Sequence, residues 1–340
     1  MSETTDARGS AVGRLYGRKQ QVVTVIGVVF WSWLLARWLF HNTLADWLFT
    51  TLGAPDLIQS ELGVSQRNPW LPAKLFEAAA ETLTAVGAGR ELIGVPVGWF
   101  AWLFELASFA VTTGPALAAG AFVTVYLTLC SMLFGLGIAV PVAVARVYGS
   151  STISHLSLVY TELIRGTPLL AQLFFFYFGL PLAGLISDLR LMELNGMPRS
   201  AAVVAIIAFT VNSSAYQAEY IRSALQSVDR SQLTAARSIG LSRYQGIRHV
   251  VLPQGLRLAI PGWTNELIYL LKYSSLAAFI TVPELFRRAR NIGSDTFQFV
   301  DIYVIVGLFY LALVITTAVA MEHLESRVTI PGIGQSFDRN

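Results

Sequence analysis

Between two apolar segments, the chain reads from residue 229 to residue 253 Asp-Arg-Ser-Gln-Leu-Thr-Ala-Ala-Arg-Ser-Ile-Gly-Leu-Ser-Arg-Tyr-Gln-Gly-Ile-Arg-His-Val-Val-Leu-Pro. Asp229 or Ser227 can cap a helix N-terminus, and Gly240 suits the left-handed position that ends a helix. Ser242 can cap a second short helix, which we expect to end before Pro253. The stretch therefore predicts two short helices that present small residues and arginines to a soluble partner. The alternative is an amphipathic loop that lies on lipid headgroups.

The composition is that of an integral membrane protein. Of the 340 residues, 54% are hydrophobic and only 13% are charged, and the mean hydropathy is +0.56. A single water-soluble core does not hide so much apolar surface. The formal charge of +3 comes mostly from arginines in loops and at segment ends. That placement is typical of membrane-flanking charge and argues against nucleic-acid binding.

Several segments contain the roughly 20 apolar residues that a helix needs to cross a bilayer. They are residues 22–40, 117–145, 168–187, 200–220, 258–280 and 301–322. Residues 92–112 are also apolar, but Pro96 and Glu105 suit a surface-lying or re-entrant piece at least as well. We therefore predict an all-α bundle of about six transmembrane helices, with residues 229–253 in a cytoplasmic loop.

Positive charge predicts the orientation, because basic loops stay in the cytoplasm. Four basic residues lie in the first 19 positions, and six arginines lie in residues 221–257. Six spans place both segments and both termini inside, although the arginines of 287–290 run against the rule. The predicted divisions are a cytoplasmic tail (1–21), an extension with an anchor helix and a periplasmic or interfacial segment (22–115), a transport domain (116–328) and a C-terminal tail (329–340).

Polar side chains inside the predicted spans form two faces. Asn212, Tyr216 and Glu219 share one face of their helix, and Asn265, Tyr269 and Lys272 share another. These faces could supply the donors and acceptors that a zwitterionic solute needs. The alternative is structural, with Glu219 paired to Arg222 and Lys272 bonded to helix-end carbonyls or a carboxylate. The candidate pathway residues are Asn212, Tyr216, Glu219, Asn265, Glu266 and Lys272.

Sequence motifs argue against catalysis. The four histidines are scattered, with no pair at metal-binding spacing, and no G-x-x-x-x-G-K-[ST] phosphate loop occurs. Cys130 is the only cysteine. We expect no metal, no cofactor and no ATP hydrolysis by this chain.

The 229–253 stretch resembles the EAA signature, EAA---G---------I-LP, by which permease subunits of ABC importers contact their ATPase. Thr234 replaces the glutamate of that signature. Further blocks resemble the branch that imports polar amino acids: residues 160–170 (Y-x-E-x-x-R-G-T-P-L-L), 215–222 (A-Y-x-A-E-x-x-R), 272–276 (K-x-[ST]-S-L) and 283–285 (P-E-L). The resemblance covers about two thirds of the chain and implies an ATPase-coupling role for Thr234, Ala235, Ala236, Gly240, Leu252 and Pro253.

The resemblance implies a transmembrane permease subunit, with 116–328 as the permease domain, in a bacterial or archaeal cytoplasmic membrane. The implied partners are ABC ATPase subunits, a second permease subunit that is identical or paralogous, a periplasmic or lipid-anchored amino-acid-binding protein, and membrane lipid. Two alternatives remain open. One is a permease of the same type for another solute, such as an opine or a small peptide. The other is a secondary transporter or a membrane enzyme without an ATPase.

Overall fold

The structure is a computed structural model, and it describes residues 21–38, 71–88, 91–180, 182–187 and 200–328. Nearly all of both predicted tails and most of the predicted periplasmic segment lie outside these ranges. The described residues form helices and no strand, which confirms the predicted all-α class. The helices are α1 (Gln21–Trp38), α2 (Ala73–Gly87), α3 (Glu91–Tyr148), α4 (Ser151–Arg165), α5 (Leu169–Phe174), α6 (Leu182–Ser187), α7 (Ser200–Ser227), α8 (Arg230–Ser238), α9 (Arg243–Gly246), α10 (Leu252–Leu258), α11 (Ile260–Tyr273), α12 (Leu285–Thr296) and α13 (Phe299–Val328).

Among the described residues, α1, α3, α7 and α13 are long and apolar enough to cross a membrane. They correspond to four of the predicted spans. The prediction of a separate helix beginning at residue 117 is wrong, because α3 starts at Glu91 and includes residues 92–112 without a break. Pro96, Pro115 and Pro141 all lie inside α3. Each lacks a backbone donor, and its ring crowds the carbonyl four residues earlier. The surrounding apolar residues favour continued helix, since their backbone groups must bond within the chain.

The other two predicted spans are divided into shorter pieces. Within 168–187, α5 continues into a π-helical turn, Phe175–Gly179, and Leu180 then leaves the helical region with φ −98° and ψ 5°. Leu180 precedes a proline in the sequence, a position that disfavours α-helix. Within 258–280, a break at Ala259 separates α10 from α11, and α11 ends in a 3₁₀ segment, Ser274–Ile280.

The contacts divide the chain into two compact units. The first unit contains the described residues up to Thr124 and the segment Thr281–Thr316. The second contains the described residues of 125–189, 198–280 and 317–340. Helices α3 and α13 contribute residues to both.

In the first unit, α1 packs through large aromatic side chains. Trp31 Nε1 donates to Thr316 Oγ1 (2.7 Å) and Trp38 Nε1 donates to the carbonyl of Ala118 (2.8 Å). The rings of Trp38 and Phe122 lie 5.3 Å apart, edge to face, which is a favourable geometry for aromatic pairs. The opposite side of α1 exposes aliphatic side chains, as expected of a helix that faces lipid.

A buried carboxylate begins α12 in the same unit. Glu284 Oε1 accepts from the backbone N–H of Arg287 (2.7 Å), and Oε2 accepts from the N–H of Phe286 (2.8 Å) and from Tyr310 Oη (3.0 Å). Glu284 is fully buried. The P-E-L block therefore has a clear structural role here, since it satisfies helix-end donors that would otherwise lack partners.

The second unit is built around α7. Its buried face contributes Ala218, Ile221, Ala224 and Leu225 to an apolar core shared with the end of α3 and with α10. Small alanines on α3 and α7 allow the two helices to approach closely. This core lies directly beside the polar segment 229–253.

Candidate functional site

Helix α8 is fixed at both ends by local hydrogen bonds. The Asp229 carboxylate accepts from the backbone N–H of Ser231 (2.8 Å), and this bond holds the pKa of Asp229 below its usual value. At the other end Gly240 has φ +93°, the left-handed conformation that glycine adopts without strain. The N–H of Leu241 donates to Ala236 O (3.2 Å) and that of Gly240 donates to Arg237 O (3.1 Å). These two bonds form a Schellman motif and confirm the predicted helix end.

The second helix of the segment also starts as predicted but ends later. Ser242 and Gln245 form a reciprocal capping box. The prediction that this helix stops before Pro253 is wrong, because helical structure runs through a π turn, Ile247–Val251, into α10. The N–H of Leu252 donates to Ile247 O, five residues earlier. The proline ring would clash with the carbonyl of residue 249 in a regular α-helix, and the wider π turn relieves that clash.

The predicted coupling residues lie on two sides of this segment. Ala236 is buried, and a Cβ atom on Gly246 would lie 3.4 Å from the Ala236 Cβ, so these small residues let α8 and α9 pack together. Thr234, Ala235 and Pro253 are exposed, and Leu252 is half-buried.

Two exposed apolar side chains on the segment were missed by the sequence analysis. Ile239 is 80% exposed and Tyr244 is 68% exposed. The available signal was an isoleucine and a tyrosine in an otherwise polar loop. With the exposed Ala235, they give the segment an apolar surface that a soluble partner can cover.

The helices that follow the segment, α10 and α11, pack tightly against α7. A Cβ atom on Gly255 of α10 would lie 2.6 Å from Leu225 Cδ2, and one on Gly262 of α11 would lie 2.6 Å from Tyr220 Cγ. Both glycines therefore permit a close approach that a side chain would prevent. A displacement of the segment must move the adjoining part of α7, because such packing is too dense to absorb it.

Asn212 is held in a buried amide pair. Its Nδ2 donates to Gln172 Oε1 (3.0 Å), while Gln172 Nε2 donates to Ile164 O (2.7 Å) and to Thr167 Oγ1 (2.7 Å). These bonds link α5 and the end of α4 to α7. Sequence analysis missed Gln172, although a glutamine inside an apolar segment is itself a sign of a buried partner.

Tyr216 and Glu219 both have charged neighbours. The Arg165 guanidinium lies over the Tyr216 ring, 5.3 Å from its centroid. Glu219 pairs with Arg222 through both Nε (2.9 Å) and Nη2. The structural alternative considered for Glu219 is therefore the arrangement observed. Arg165 of the 160–170 block lies beside the predicted polar face of α7.

Helix α11 separates its polar residues between a buried and an exposed side. Glu266 is buried beside Ser213, whose Oγ accepts from Gln217 Nε2 (3.0 Å). In contrast, Asn265 and Lys272 are exposed. The Lys272 ammonium lies over the exposed Tyr269 ring, 4.8 Å from its centroid. Glu266 is thus part of a cluster with α7, whereas Asn265 and Lys272 form an uncovered polar face.

Comparisons with known proteins identify a family and several relatives of this chain. Residues 131–330 match the model of the family described as "Binding-protein-dependent transport system inner membrane component". The chain is 37% identical over 218 residues to the probable amino-acid ABC transporter permease protein YckA of Bacillus subtilis, covering 64% of this chain and 91% of the relative. It is 37% identical over 216 residues to the glutamine transport system permease protein GlnP of Escherichia coli, covering 64% and 94%.

A solved structure titled "Crystal structure of an amino acid ABC transporter with histidines" has a similar fold, with a TM-score of 0.54 and 32% identity over 63% of this chain and 94% of that one. The family match begins at residue 131, so α1, α2 and the first part of α3 precede it. More than half of this chain matches the family model, and its relatives are covered almost end to end. The chain therefore belongs to the family of binding-protein-dependent transport system inner membrane components, as a multi-pass protein of the inner membrane.

Proposed function

We propose that the chain forms the translocation path for polar amino acids in an ATP-driven importer and couples to a separate ATPase through residues 229–253. The observation that carries this proposal is the construction of that segment. Helix α8 is capped at both ends, is followed by the exposed apolar side chains of Ile239 and Tyr244, and leads through α9 to α10, which packs closely against α7. Rigidity, an apolar contact surface and a firm connection are what a coupling element needs.

In this proposal, rigid contacts transmit the movement of the ATPase to the membrane helices. Ile239 and Tyr244 occupy a groove on the ATPase in this proposal, together with Thr234 and Ala235. Closure of the ATPase dimer then moves α8 as a rigid body. Because α10 and α11 approach α7 at Gly255 and Gly262, the displacement reaches the helices that bear the polar faces.

The translocation path lies along those polar faces in this proposal. Tyr216, with Arg165 over its ring, offers a hydroxyl and a cation to the carboxylate of an amino acid. Asn265 and Lys272 would be costly against lipid, since polar and charged groups at membrane depth need a partner or a water-filled cavity. Their exposure supports a second permease subunit, identical or paralogous, that covers this face. Asn212, Glu219 and Glu266 already have neighbouring protein groups. They would hold the helices that line the path in place rather than contact the solute.

Polar amino acids are the proposed solutes because the relatives are named for them. GlnP is a glutamine permease, and the solved transporter contains histidines. An importer of this family implies ATPase subunits and a binding protein as partners. We further propose that the chain itself is not an enzyme, that both termini and residues 221–257 face the cytoplasm, and that 116–328 form the permease domain after an extension, 22–115.

Purification of the tagged chain from its native membranes, followed by mass spectrometry, tests the coupling role. We expect an ATPase to co-purify with the native chain and to be lost with Ile239→Asp or Gly240→Arg, with equal loss of ATP-dependent amino-acid uptake. Ile153→Asp is a matched control, because Ile153 is an exposed isoleucine on α4, outside the segment. Retention of the ATPase by both segment variants would refute the proposal and favour a secondary transporter.

A further inference from the structure

A pocket of about 490 Å³ lies behind α8, on the side that faces the helix bundle of the second unit. This volume is within the range of small-molecule sites in proteins. The pocket lies among the end of α3, the end of α7, α8 and the helix that starts at Arg243. Apolar or aromatic side chains line much of its wall: Val147, Tyr148, Leu225, Val228, Leu233 and Val251.

Three arginines line the same pocket, namely Arg230, Arg237 and Arg243, with Asp229 as the acidic group. The Asp229 carboxylate is occupied by its bond from Ser231 (2.8 Å), and positive charge exceeds negative charge among the lining residues. Arg243 Nη2 donates to Tyr148 O (3.1 Å), which fixes this guanidinium at the wall. Arginine forks match the oxygens of a phosphate group in geometry and in charge.

We infer that this pocket binds the phosphate group of an amphiphilic ligand, with the arginines holding the phosphate and the apolar wall holding an apolar or aromatic portion. Two sources share this chemistry: the headgroup of an anionic phospholipid and a soluble phosphomonoester with an aromatic base. Basic pockets at the cytoplasmic ends of transmembrane helices suit anionic lipid headgroups. The pocket is formed by the ends of α3 and α7, which are two of the membrane-spanning helices. An occupied pocket would hold α8 against the bundle, so the ligand would tune the position of the coupling segment. Binding itself does not depend on the coupling role.

The test is a binding titration of the purified full-length chain in a neutral detergent, followed by native mass spectrometry. The probes are dihexanoyl phosphatidylglycerol, dihexanoyl phosphatidylcholine as the lipid without net charge, and AMP as the soluble phosphomonoester. We expect phosphatidylglycerol or AMP, whichever is the source, to bind at least tenfold more weakly to the double variant Arg230→Gln/Arg237→Gln than to the native chain. Phosphatidylcholine should not distinguish the two proteins.

Two further variants separate a built pocket from general electrostatic attraction. Arg248→Gln/Arg257→Gln removes the same charge from the same loop but from residues that do not line the pocket, and it should bind like the native chain. Gln226 also lines the pocket, so Gln226→Trp fills it without removing an arginine and should weaken binding as much as the double variant does. Equal weakening by both arginine pairs, full binding by Gln226→Trp, or no binding of either anionic probe to the native chain would overturn the inference. Melting temperatures in the same detergent report whether each variant remains folded.

Discussion

Gly240 is the residue on which the geometry of the coupling segment most depends. Apart from Gly240 and its two chain neighbours, none of the described residues has an atom within 4 Å of the position that a Cβ would take, so the site has room for a side chain. The constraint at Gly240 is its backbone conformation, because φ is +93° and residues with a side chain adopt this value only with strain. A β-branched residue in the left-handed region costs about 1–2 kcal/mol, whereas asparagine occupies this region more readily.

This contrast gives a prediction that isolates backbone conformation from size. Gly240→Asn should retain most ATPase recovery and uptake, and Gly240→Val should lose most of both. Gly137→Val is the control, since Gly137 lies in α3 with open space around it and no positive φ. Equal activity of the Asn and Val variants at equal membrane levels would show that the turn at Gly240 does not set the coupling geometry.

Replacing one member of the buried amide pair of Asn212 and Gln172 should destabilise the fold, because the remaining member loses its hydrogen-bond partner. Asn212→Leu leaves Gln172 Oε1 without its donor, and a buried group without a partner costs about 1–3 kcal/mol. We expect a lower melting temperature in detergent for each single leucine variant. The double variant should be less destabilised than the sum of the two, with a coupling of about 0.5–3 kcal/mol. Strict additivity would mean that the pair contributes nothing as a pair.

The same residues show what sequence can and cannot reveal about a site. The caps at Asp229, Gly240 and Ser242 were predictable, because each depends on neighbours within a few positions. The partners of Asn212 and Glu266 were not, because Gln172 is 40 residues from Asn212 and Ser213 lies on another helix. Helical periodicity predicts which side chains share a face, but it does not predict which residues of other helices pack against that face.

Helix α10 connects the coupling segment to α7 through a shared apolar core, and the two helices approach closely at Gly255. The Cβ of a larger residue at Gly255 would meet Leu225 Cδ2 at 2.6 Å and Leu225 Cα at 3.4 Å. Gly255→Leu should therefore push α10 away from α7 and cost about 1–3 kcal/mol through overpacking. We expect a melting temperature several degrees lower and a loss of uptake.

Gly137→Leu is the matched control for that substitution, because no atom lies within 4 Å of the Cβ position. It should leave the melting temperature close to that of the native chain. Gly255→Ala should fall between the two, since the Leu225 side chain can yield to a methyl group. A Gly255→Leu variant as stable and active as the native chain would mean that α10 and α7 do not move together.

Helix boundaries were less predictable than helix class. The four long apolar helices follow from apolar run length alone. The continuity of α3 through residues 92–117 did not, because Pro96 and Glu105 favoured a surface-lying or re-entrant piece. The continuity of helical structure through Pro253 did not, because a proline is a local stop signal. In each case the requirement to bond the backbone internally outweighs the proline. The π turn before Pro253 is the local adjustment that makes this possible.

The assembled transporter provides the strongest test of the exposed polar face of α11. Cys130 is the only cysteine, so a Cys130→Ser background allows single-cysteine cross-linking. Asn265→Cys in that background should form a disulfide with a second permease subunit when native membranes are oxidised. A product of twice the chain mass indicates identical subunits, whose two introduced thiols at position 265 have formed the disulfide. A paralogous subunit would form one only after a cysteine is introduced at its facing position. Ile153→Cys on α4 serves as the control.

Absence of any cross-linked permease at residue 265, with Ile153→Cys also negative, would place the polar face of α11 away from a subunit interface. The proposed path would then need a different partner to shield Asn265 and Lys272. Uptake by the Asn265→Cys variant in its reduced form should remain measurable, which confirms that the transporter assembles before oxidation.

The aromatic packing of α1 has an optical consequence. Of the eight tryptophans in the chain, seven lie before residue 103, so the native fluorescence reports chiefly on the region that precedes the family match. The remaining one, Trp263, packs against the apolar core beside α7 and follows Gly262, which touches Tyr220. Replacing the other seven by phenylalanine would leave a single tryptophan at the junction between the coupling segment and the membrane helices. Its emission would change with each turnover, without any attached dye.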